Sequence, residues 1–338
     1  MIGYALVRDA AAELARLSGW SAPDRRLRSR LSIATFHRVL TSEERAEYPL
    51  PGLAVTPEEL DIVCESLARH FTCATLADAS ERWLAGEDPE RPLLAITFDD
   101  GQIDNLTRAA PVLAKHGLRA SFFVVSSAAA SGQSLWHDRM AFALRRGWAR
   151  EPAAVRALLS ELGELPAGIE SQPAELVERV KRTLTEAEPR EQWIQRLERA
   201  AGGAWRPAWD GMLAWDDVRA LQEMGHEIGS HSHSHPLLPH CTDDELAHEL
   251  SHSKRELERE TGGPVSSFCY PNGDRDGRVI AAAEKAGYAR AVTTRHGWNS
   301  RGDALHTLRR CDLSFVHCAD RTGGFSEARL ALRLSRRP

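Results

Sequence analysis

The stretch LLAITFDDG, residues 93–101, decides the fold of this chain. Its first six residues are apolar or β-branched, a composition that predicts a buried strand. The strand ends abruptly in Asp99, Asp100 and Gly101. Because successive side chains of a strand point to opposite faces, we expect the two carboxylates to differ in role around one site.

A second stretch, GSHSHSHPLL at residues 229–238, supplies nitrogen ligands. His231 and His235 are four residues apart, a spacing that predicts two imidazoles on one side of a helical turn. Two histidines and a carboxylate form a facial ligand set for a divalent metal, which leaves positions open for water and substrate. The carboxylate of the Asp pair that does not bind the metal is then a natural base for that water.

Three motifs in this order resemble the signatures of the polysaccharide deacetylases, carbohydrate esterase family 4, which share the chitooligosaccharide-deacetylase (NodB) homology domain. They are TFDDG at residues 97–101, HSxxH at 231–235 and FCYPNGD at 268–274. The resemblance spans roughly residues 31–313 and excludes the N-terminal arm and much of residues 127–212. It implies a distorted (β/α) barrel and a metal-dependent hydrolase that removes an acetyl or other acyl group from an N-acetylated sugar of a glycan.

The order of the predicted elements agrees with that fold. Apolar runs alternate with helical patterns before and after the interruption at residues 127–212. The predicted strands are residues 31–36, 93–98, 120–125, 227–230, 267–270, 290–294 and 308–313. About seven βα units predict an α/β fold, a distorted (β/α)7-type parallel barrel with a helical insertion, whose chemistry lies at the carboxyl ends of the strands.

Three segments follow from this pattern. Residues 1–30 are predicted to be an N-terminal helical arm, and residues 31–126 and 213–325 the barrel. Residues 127–212 are rich in Ala, Leu, Glu and Arg, and predict two to four inserted helices, for which a lid is one interpretation. Trp136 opens the insertion, and either substrate contact or simple packing would explain it. The polar residues 41–51 are predicted to be a loop.

The resemblance assigns roles to the first two motifs. It implies that Asp100, His231 and His235 bind the metal and that Asp99 is the base, with His233 outside the ligand set. Zinc is the metal expected for two histidines and one aspartate, and Co²⁺, Ni²⁺, Mn²⁺ or Fe²⁺ would suit the same donors. The residues alone leave an alternative open, in which the Asp pair caps the next helix.

Residues 270–273 are the expected oxyanion or substrate element: Tyr270, Pro271, Asn272 and Gly273. Proline has no N–H to donate, so the backbone N–H of Asn272 is the better donor to a developing oxyanion. A plain proline–glycine turn is the alternative. Many family members carry an arginine two residues before this proline, close to the catalytic aspartate. Here that position is Cys269, so the group that holds Asp99 in place is left open.

The general acid has two candidates. Many family members carry a late Leu-x-His motif, which has no clear match after Thr294. The FHRV stretch at residues 36–39 resembles a Tyr-His-x-Val motif in a subgroup that acts on biofilm polysaccharides, and this resemblance favours His37 as the acid. His306 is the second candidate. The alternative for His37 is that it is a first-strand histidine that only packs.

A competing motif, HELSH at residues 248–252, fits the H-E-x-x-H helix of metalloproteases. Leu246, Leu250 and Leu257 define the apolar face of the predicted helix. Both histidines lie about 200° from members of that face at about 100° per residue, which places them towards solvent. A metalloprotease helix must turn them into a cleft, so the protease interpretation is disfavoured.

Composition narrows the class further. The formal net charge of −5 disfavours a nucleic-acid footprint. The six cysteines form no C-x-x-C pair, which disfavours a structural zinc or redox motif and suits a reducing compartment. No apolar run approaches the ~20 residues of a membrane span.

Charges within residues 1–20 interrupt any secretory signal. We therefore expect a cytoplasmic protein that acts on an acetylated glycan, with peripheral association at the inner membrane face left open. Two other functions stay open from the sequence. One is a related C–N hydrolase on a small amide or formyl sugar, and the other is a non-catalytic glycan-binding relative.

Overall fold

The structure is a computed structural model that describes residues 2–19, 21–164 and 168–336. Its strands are β1 (Leu31–Phe36), β2 (Arg38–Val39), β3 (Ala54–Val55), β4 (Thr72–Ala74), β5 (Leu93–Phe98), β6 (Ser121–Val124), β7 (Glu227–Ser230), β8 (Ser267–Cys269), β9 (Arg290–His296) and β10 (Leu308–Asp312). All strand pairings of the main sheet are parallel.

Seven of these strands close into a barrel, in the order β1-β10-β9-β8-β7-β6-β5 and back to β1. The closing pair aligns Leu31 with Leu93 and Phe36 with Phe98. Strand β4 adds to the start of β5, and β2 pairs separately with β3. The predicted (β/α)7-type parallel barrel is confirmed. Both faces of β1 and β5 are buried, which explains their unbroken apolar sequences.

Helices surround the barrel and form the insertion. They are α1 (Ile2–Leu17), α2 (Pro23–Arg26), α3 (Ser42–Glu47), α4 (Pro57–His70), α5 (Leu76–Leu84), α6 (Ala110–Lys115), α7 (Ser126–Ser131), α8 (Trp136–Arg150), α9 (Pro152–Ser160), α10 (Pro173–Thr183), α11 (Ala187–Ala200), α12 (Trp215–Glu223), α13 (Asp243–Thr261), α14 (Gly277–Lys285), α15 (Phe315–Cys318) and α16 (Glu327–Ser335). A π-helical turn, Asn105–Ala109, precedes α6.

The N-terminal arm is helical as α1, which lies against α16. Asp9 on α1 accepts a hydrogen bond from the backbone N–H of Arg321, and its carboxylate lies 3.4 Å from the Arg329 guanidinium. Met1 and Trp20, which fall within the predicted arm, lie outside the described residues. The arm therefore packs on the C-terminal part of the chain.

The inserted helices α8–α11 build an apolar core of their own, separate from the barrel core. Trp193 and Leu197 of α11 are buried in it with Leu176 of α10. Tyr48 and Leu50, from the segment after β2, pack into the same core and join the insertion to the barrel rim.

Two local expectations are wrong. The segment predicted as a loop at residues 41–51 contains α3, because Thr41 and Glu44 form a reciprocal capping box that starts a helix. The HSxxH stretch is not a helical turn, since its backbone has left-handed φ values of 67° at Ser232 and 58° at His235. Within the described ranges, no helix combines the length and the apolar character that crossing a bilayer requires.

Candidate active site

The site begins where β5 ends. The N–H of Asp99 still follows the sheet and donates to the Phe36 carbonyl over 3.0 Å. The backbone then reverses at Asp100, whose φ of 75° is unusual for a residue with a side chain. This turn leaves both carboxylates buried, 2% and 4% exposed, at the carboxyl end of the barrel. Strained backbone of this kind is concentrated at functional sites.

Three side chains converge as a candidate metal-binding group. Asp100 Oδ1 lies 3.3 Å from His231 Nε2 and 3.6 Å from His235 Nε2, and one ligand atom from each residue lies within 4.8 Å of the others. His231 Nδ1 is 2.8 Å from the Cys269 carbonyl, which fixes the ring with Nε2 towards Asp100. The non-helical loop, rather than a helical turn, brings both imidazoles to the carboxylate.

Two of the three ligands, Asp100 and His235, are held in the protonation states that bind a cation. Burial would raise the pKa of Asp100, but the hydrogen bond with His231 and the surrounding imidazoles hold that pKa well below its usual range. Burial and the neighbouring His231 lower the pKa of His235 well below its usual range. Burial opposes charge on His231, yet Cys269 and Asp100 raise its pKa, so metal binding would have to displace that proton.

Arg310, from β10, holds Asp99 in place. Its Nη1 and Nη2 donate to Asp99 Oδ1 and Oδ2 over 2.7 Å each. Burial would raise the pKa of Asp99, but the charge and hydrogen bonds of Arg310 outweigh it and lower that pKa. Asp99 is therefore an ionised carboxylate with a fixed orientation.

Arg310 is a residue of the site that sequence reasoning missed. It also donates to the Cys269 thiol over 3.2 Å, so it fills the space beside the position where many family members carry arginine. The only sequence signal was a pair of arginines inside a predicted strand of the barrel, since a charge that becomes buried there requires a partner.

His37 lies at the mouth of the site. Its Nε2 is 3.7 Å from Asp99 Oδ2, and its side chain is 25% exposed. The next residue, Arg38, is fully buried and bonds Asp104 and Asp210 over 2.9 Å and 2.7 Å. The Asn105 amide donates to the His37 carbonyl over 2.8 Å. These contacts fix the backbone that presents His37.

His306 is elsewhere. Its Nε2 lies 2.8 Å from the Tyr288 carbonyl, and its Nδ1 lies 3.4 Å from Glu284 Oε1. It is not among the residues that line the pocket above Asp99 and Asp100. The structure therefore brings His37 to the site and does not bring His306.

Residues 270–273 form a tight turn after β8. Tyr270 and Asn272 line the pocket, and Pro271 and Gly273 are buried beneath. Asn272 has a left-handed φ of 57°, and its Nδ2 is buried without a hydrogen-bond partner in the described residues. Gly273, at φ 76°, is required because a Cβ there would lie 2.1 Å from Thr294 Oγ1.

A pocket of about 1020 Å³ covers this centre. Barrel residues form its floor, the segment from Tyr48 to Leu53 forms one wall, and α10 with residues 171–172 forms another. His137 of α8 also lines it, with its Nε2 4.0 Å from Asp100 Oδ2. Sequence reasoning missed His137, because nothing local links residue 137 to the barrel.

Trp136 does not line the pocket. Its indole N–H donates to the His235 carbonyl over 3.1 Å, and its ring lies under the Arg190 guanidinium, 4.9 Å from the ring centroid. It therefore packs behind the loop that carries the histidines. His233 faces the outer side of the same loop, with Nδ1 2.9 Å from the Ser126 hydroxyl.

Comparisons with known proteins agree with this geometry. The sequence profile of the polysaccharide deacetylase family matches residues 86–291. Over 244 residues the chain is 23% identical to YxkH of Bacillus subtilis (strain 168), which is named as a candidate polysaccharide deacetylase. This match covers 72% of the chain and 60% of YxkH, so the chain spans about three fifths of that relative's length.

Solved structures share the fold. The deacetylase PplD of Streptococcus pyogenes, solved in complex with acetate, superposes with a TM-score of 0.57 at 18% identity, over 84% of this chain and 92% of PplD. IcaB from Ammonifex degensii gives a TM-score of 0.55 at 18% identity, over 84% of this chain and 91% of IcaB. At these identities the likeness shows the fold alone.

Proposed function

We propose that this chain, which belongs to the polysaccharide deacetylase family, is a metal-dependent hydrolase. It removes an acetyl group from an N-acetylated sugar of a glycan. One observation carries the proposal. Asp99, Asp100, His231 and His235 meet on the floor of one pocket, and Arg310 keeps Asp99 ionised.

The residues present fit a divalent metal. Asp100, His231 and His235 offer one carboxylate oxygen and two imidazole nitrogens, a donor set typical of zinc and of other divalent transition metals. His235 Nδ1 is buried without a hydrogen-bond partner in the described residues, so this ring is not committed elsewhere through that atom. A metal there would polarise the acyl carbonyl and lower the pKa of a nearby water.

Asp99 takes the proton of the attacking water. Its carboxylate lies beside the metal ligands without belonging to that group, and Arg310 aims both of its oxygens. The low pKa of Asp99 keeps it unprotonated near neutral pH. A base of this kind contributes roughly 10²–10⁴-fold to the rate.

Asn272 and His37 act on the two other groups that change charge during the reaction, the carbonyl oxygen and the leaving nitrogen. The backbone N–H of Asn272, a residue that lines the pocket, is the donor for the oxyanion of the tetrahedral intermediate. His37, at the pocket mouth 3.7 Å from Asp99, gives a proton to the leaving nitrogen. Acetate and a free amine are the products.

The pocket supports an oligosaccharide substrate. Its volume of about 1020 Å³ reaches the upper end of the range for drug-sized ligands. The wall from the insertion carries Glu175, Glu178 and Lys181, and the wall from the segment after β2 carries Tyr48 and Leu50. A lining with both charged and apolar groups suits the hydroxyls and the ring faces of sugars.

The test measures bound metal and acetate release together, on a panel of N-acetylated oligosaccharides and small N-acyl amides. Wild type should bind metal and release acetate. Asp99→Asn should bind as much metal and release acetate at least about 100-fold more slowly, since it removes the base and leaves the three metal ligands in place. Thermal unfolding checks that this variant is folded, because it also leaves Arg310 without its carboxylate partner. Asp88→Asn, an exposed carboxylate paired with Arg28, is the matched control and should behave as wild type.

Four results would contradict the proposal. Equal release by wild type and Asp99→Asn would remove Asp99 as the base. Activity that survives complete chelation of metal would remove the metal. Glycan binding without any acetate release from the panel would favour a non-catalytic glycan-binding protein. Release from small amides alone would move the substrate to that class.

A further inference from the structure

A second group of histidines lies on the outer side of the loop that carries His231 and His235. His233 from this loop meets His248 and His252 of α13, with ring centroids 4.6–5.1 Å apart. One nitrogen from each ring lies within 4.8 Å of the others. The imidazoles of His248 and His252 are stacked with an interplanar angle of 12°.

Helix geometry adds a carboxylate to this group. Residues 248, 252 and 256 are spaced i, i+4 and i+8, which places them on one face of α13. Glu256 Oε2 lies 3.5 Å from His233 Nδ1 and 3.8 Å from His252 Nε2. This oxygen is buried and has no hydrogen-bond partner in the described residues. A buried carboxylate oxygen without a hydrogen bond is costly, and a cation would relieve that cost.

We propose that His233, His248, His252 and Glu256 form a second transition-metal site, separate from the candidate active site. Three imidazoles and one carboxylate suit Zn²⁺, and also Cu²⁺ or Ni²⁺. Tetrahedral zinc at about 2.0–2.1 Å from each nitrogen needs ligand atoms about 3.3 Å apart. The rings must therefore close in from 4.8 Å, and the exposed His248 has the freedom to do so.

The position of this site differs from what the helix pattern predicts. His248 is exposed as expected, but His252 is only partly exposed and packs against His233. Glu249, the glutamate of the H-E-x-x-H pattern, is not available as a metalloprotease base. Its Oε2 accepts the N–H groups of His233 and Ser234, and its Oε1 accepts the Ser234 hydroxyl.

Metal at the outer site would fix the loop that presents the inner ligands. His233 is two residues from both His231 and His235, and α13 already holds it through Glu249. A metal shared by His233 and α13 would add a second link between helix and loop. The outer site would thus stabilise the active-site loop. None of its four residues lines the pocket above Asp99 and Asp100.

The experiment counts zinc per chain after loading the metal-free protein and removing the excess. The outer variant is His248→Gln with His252→Gln, and the inner variant is Asp100→Asn with His235→Gln. Each should hold one zinc fewer than wild type. His240→Gln, an exposed histidine beside α13 that is outside both groups, is the matched control and should hold as much as wild type. Thermal unfolding checks that each variant is folded.

A single variant protects the test from a folding failure. His248→Gln alone changes an exposed side chain, so it should leave the fold intact. It should weaken zinc binding at the outer site at least about tenfold, because metal affinity falls by that much even when a residue that only hydrogen-bonds a ligand is changed. Equal zinc content and affinity in wild type and the outer variants would overturn the proposal. Loss of the only bound zinc in the outer variant would support it while refuting metal at the inner centre.

Discussion

One loop carries two kinds of histidine, and they differ in what surrounds them. His231 and His235 are 2% exposed and face Asp100 within the barrel, where Arg310 and Cys269 complete a buried network. His233 faces outward, partly exposed, onto one face of α13. The inner group depends on contacts among several strand ends, whereas the outer group depends on one helix and one loop residue.

This difference shows that two similar ligand sets can differ in how much a substitution destabilises the folded protein. Removing a partner from a buried, charge-paired group leaves an unpaired charge, which costs about 3–5 kcal/mol. In the outer group, an imidazole that loses its partner is already partly exposed, so it becomes hydrated at little cost in free energy. Changes at the inner centre should therefore affect activity and folding together, and changes at the outer group should affect metal binding first.

Arg310→Met is expected to have the largest effect. It leaves Asp99 buried without its cation, so unfolding should become easier by about 3–5 kcal/mol. Because Arg310 lowers the pKa of Asp99, its loss raises that pKa and moves the acidic limb of the kcat/KM profile to higher pH. Activity at pH 7 should fall about 100-fold or more, measured with a full pH profile.

Arg310→Lys is the companion variant. It keeps a positive charge but cannot make the paired hydrogen bonds, so it should shift the acidic limb less than methionine does. Zinc at the outer group should be retained in both. An unchanged pH profile in the lysine and methionine variants would refute the positioning role of Arg310.

Gly273→Ala should have an intermediate effect. The added Cβ would meet Thr294 Oγ1 at 2.1 Å, and φ of 76° is strained for alanine. Displacing Asn272 by about 1 Å would cost up to about 100-fold in kcat, with the inner metal still bound. The rate of acetate release measures kcat, and the zinc content per chain measures the bound metal.

Gly117→Ala is the matched control for that substitution. Its φ of 66° is similar, but a Cβ there meets nothing within 4 Å. It should lose stability by about 1 kcal/mol and keep its kcat. If Gly273→Ala behaves the same way, the oxyanion turn does not depend on this close approach.

Glu249→Gln should have the smallest effect, and it connects the two groups. The carboxylate accepts two backbone N–H groups and one hydroxyl from the loop, so the amide should cost about 1–3 kcal/mol in unfolding free energy. Zinc affinity should fall by about tenfold at both groups. Glu65→Gln, an exposed residue of α4 paired with Arg69, is the control. A loss at only one group would show that the loop does not link them.

Much of the fold was predictable because the signals are local. The strand Leu31–Phe36 and the motif strand Leu93–Phe98 each depend on neighbouring residues, and the structure has both. The helix at Ser42–Glu47 was missed although its capping box is also local, because its polar composition favoured a loop. Strand ends differ from the prediction by up to two residues, the usual uncertainty of such boundaries.

The sequence by itself determined the barrel, the order of its motifs and the Asp and His residues that meet at the strand ends, because parallel strands bring their carboxyl ends to one rim. Only the tertiary structure decided that Arg310 orients Asp99, that His137 reaches the centre from an inserted helix, and that His233 meets α13. The first of these pairs is 211 residues apart in the chain. Such contacts depend on how distant elements pack, and no local pattern encodes them.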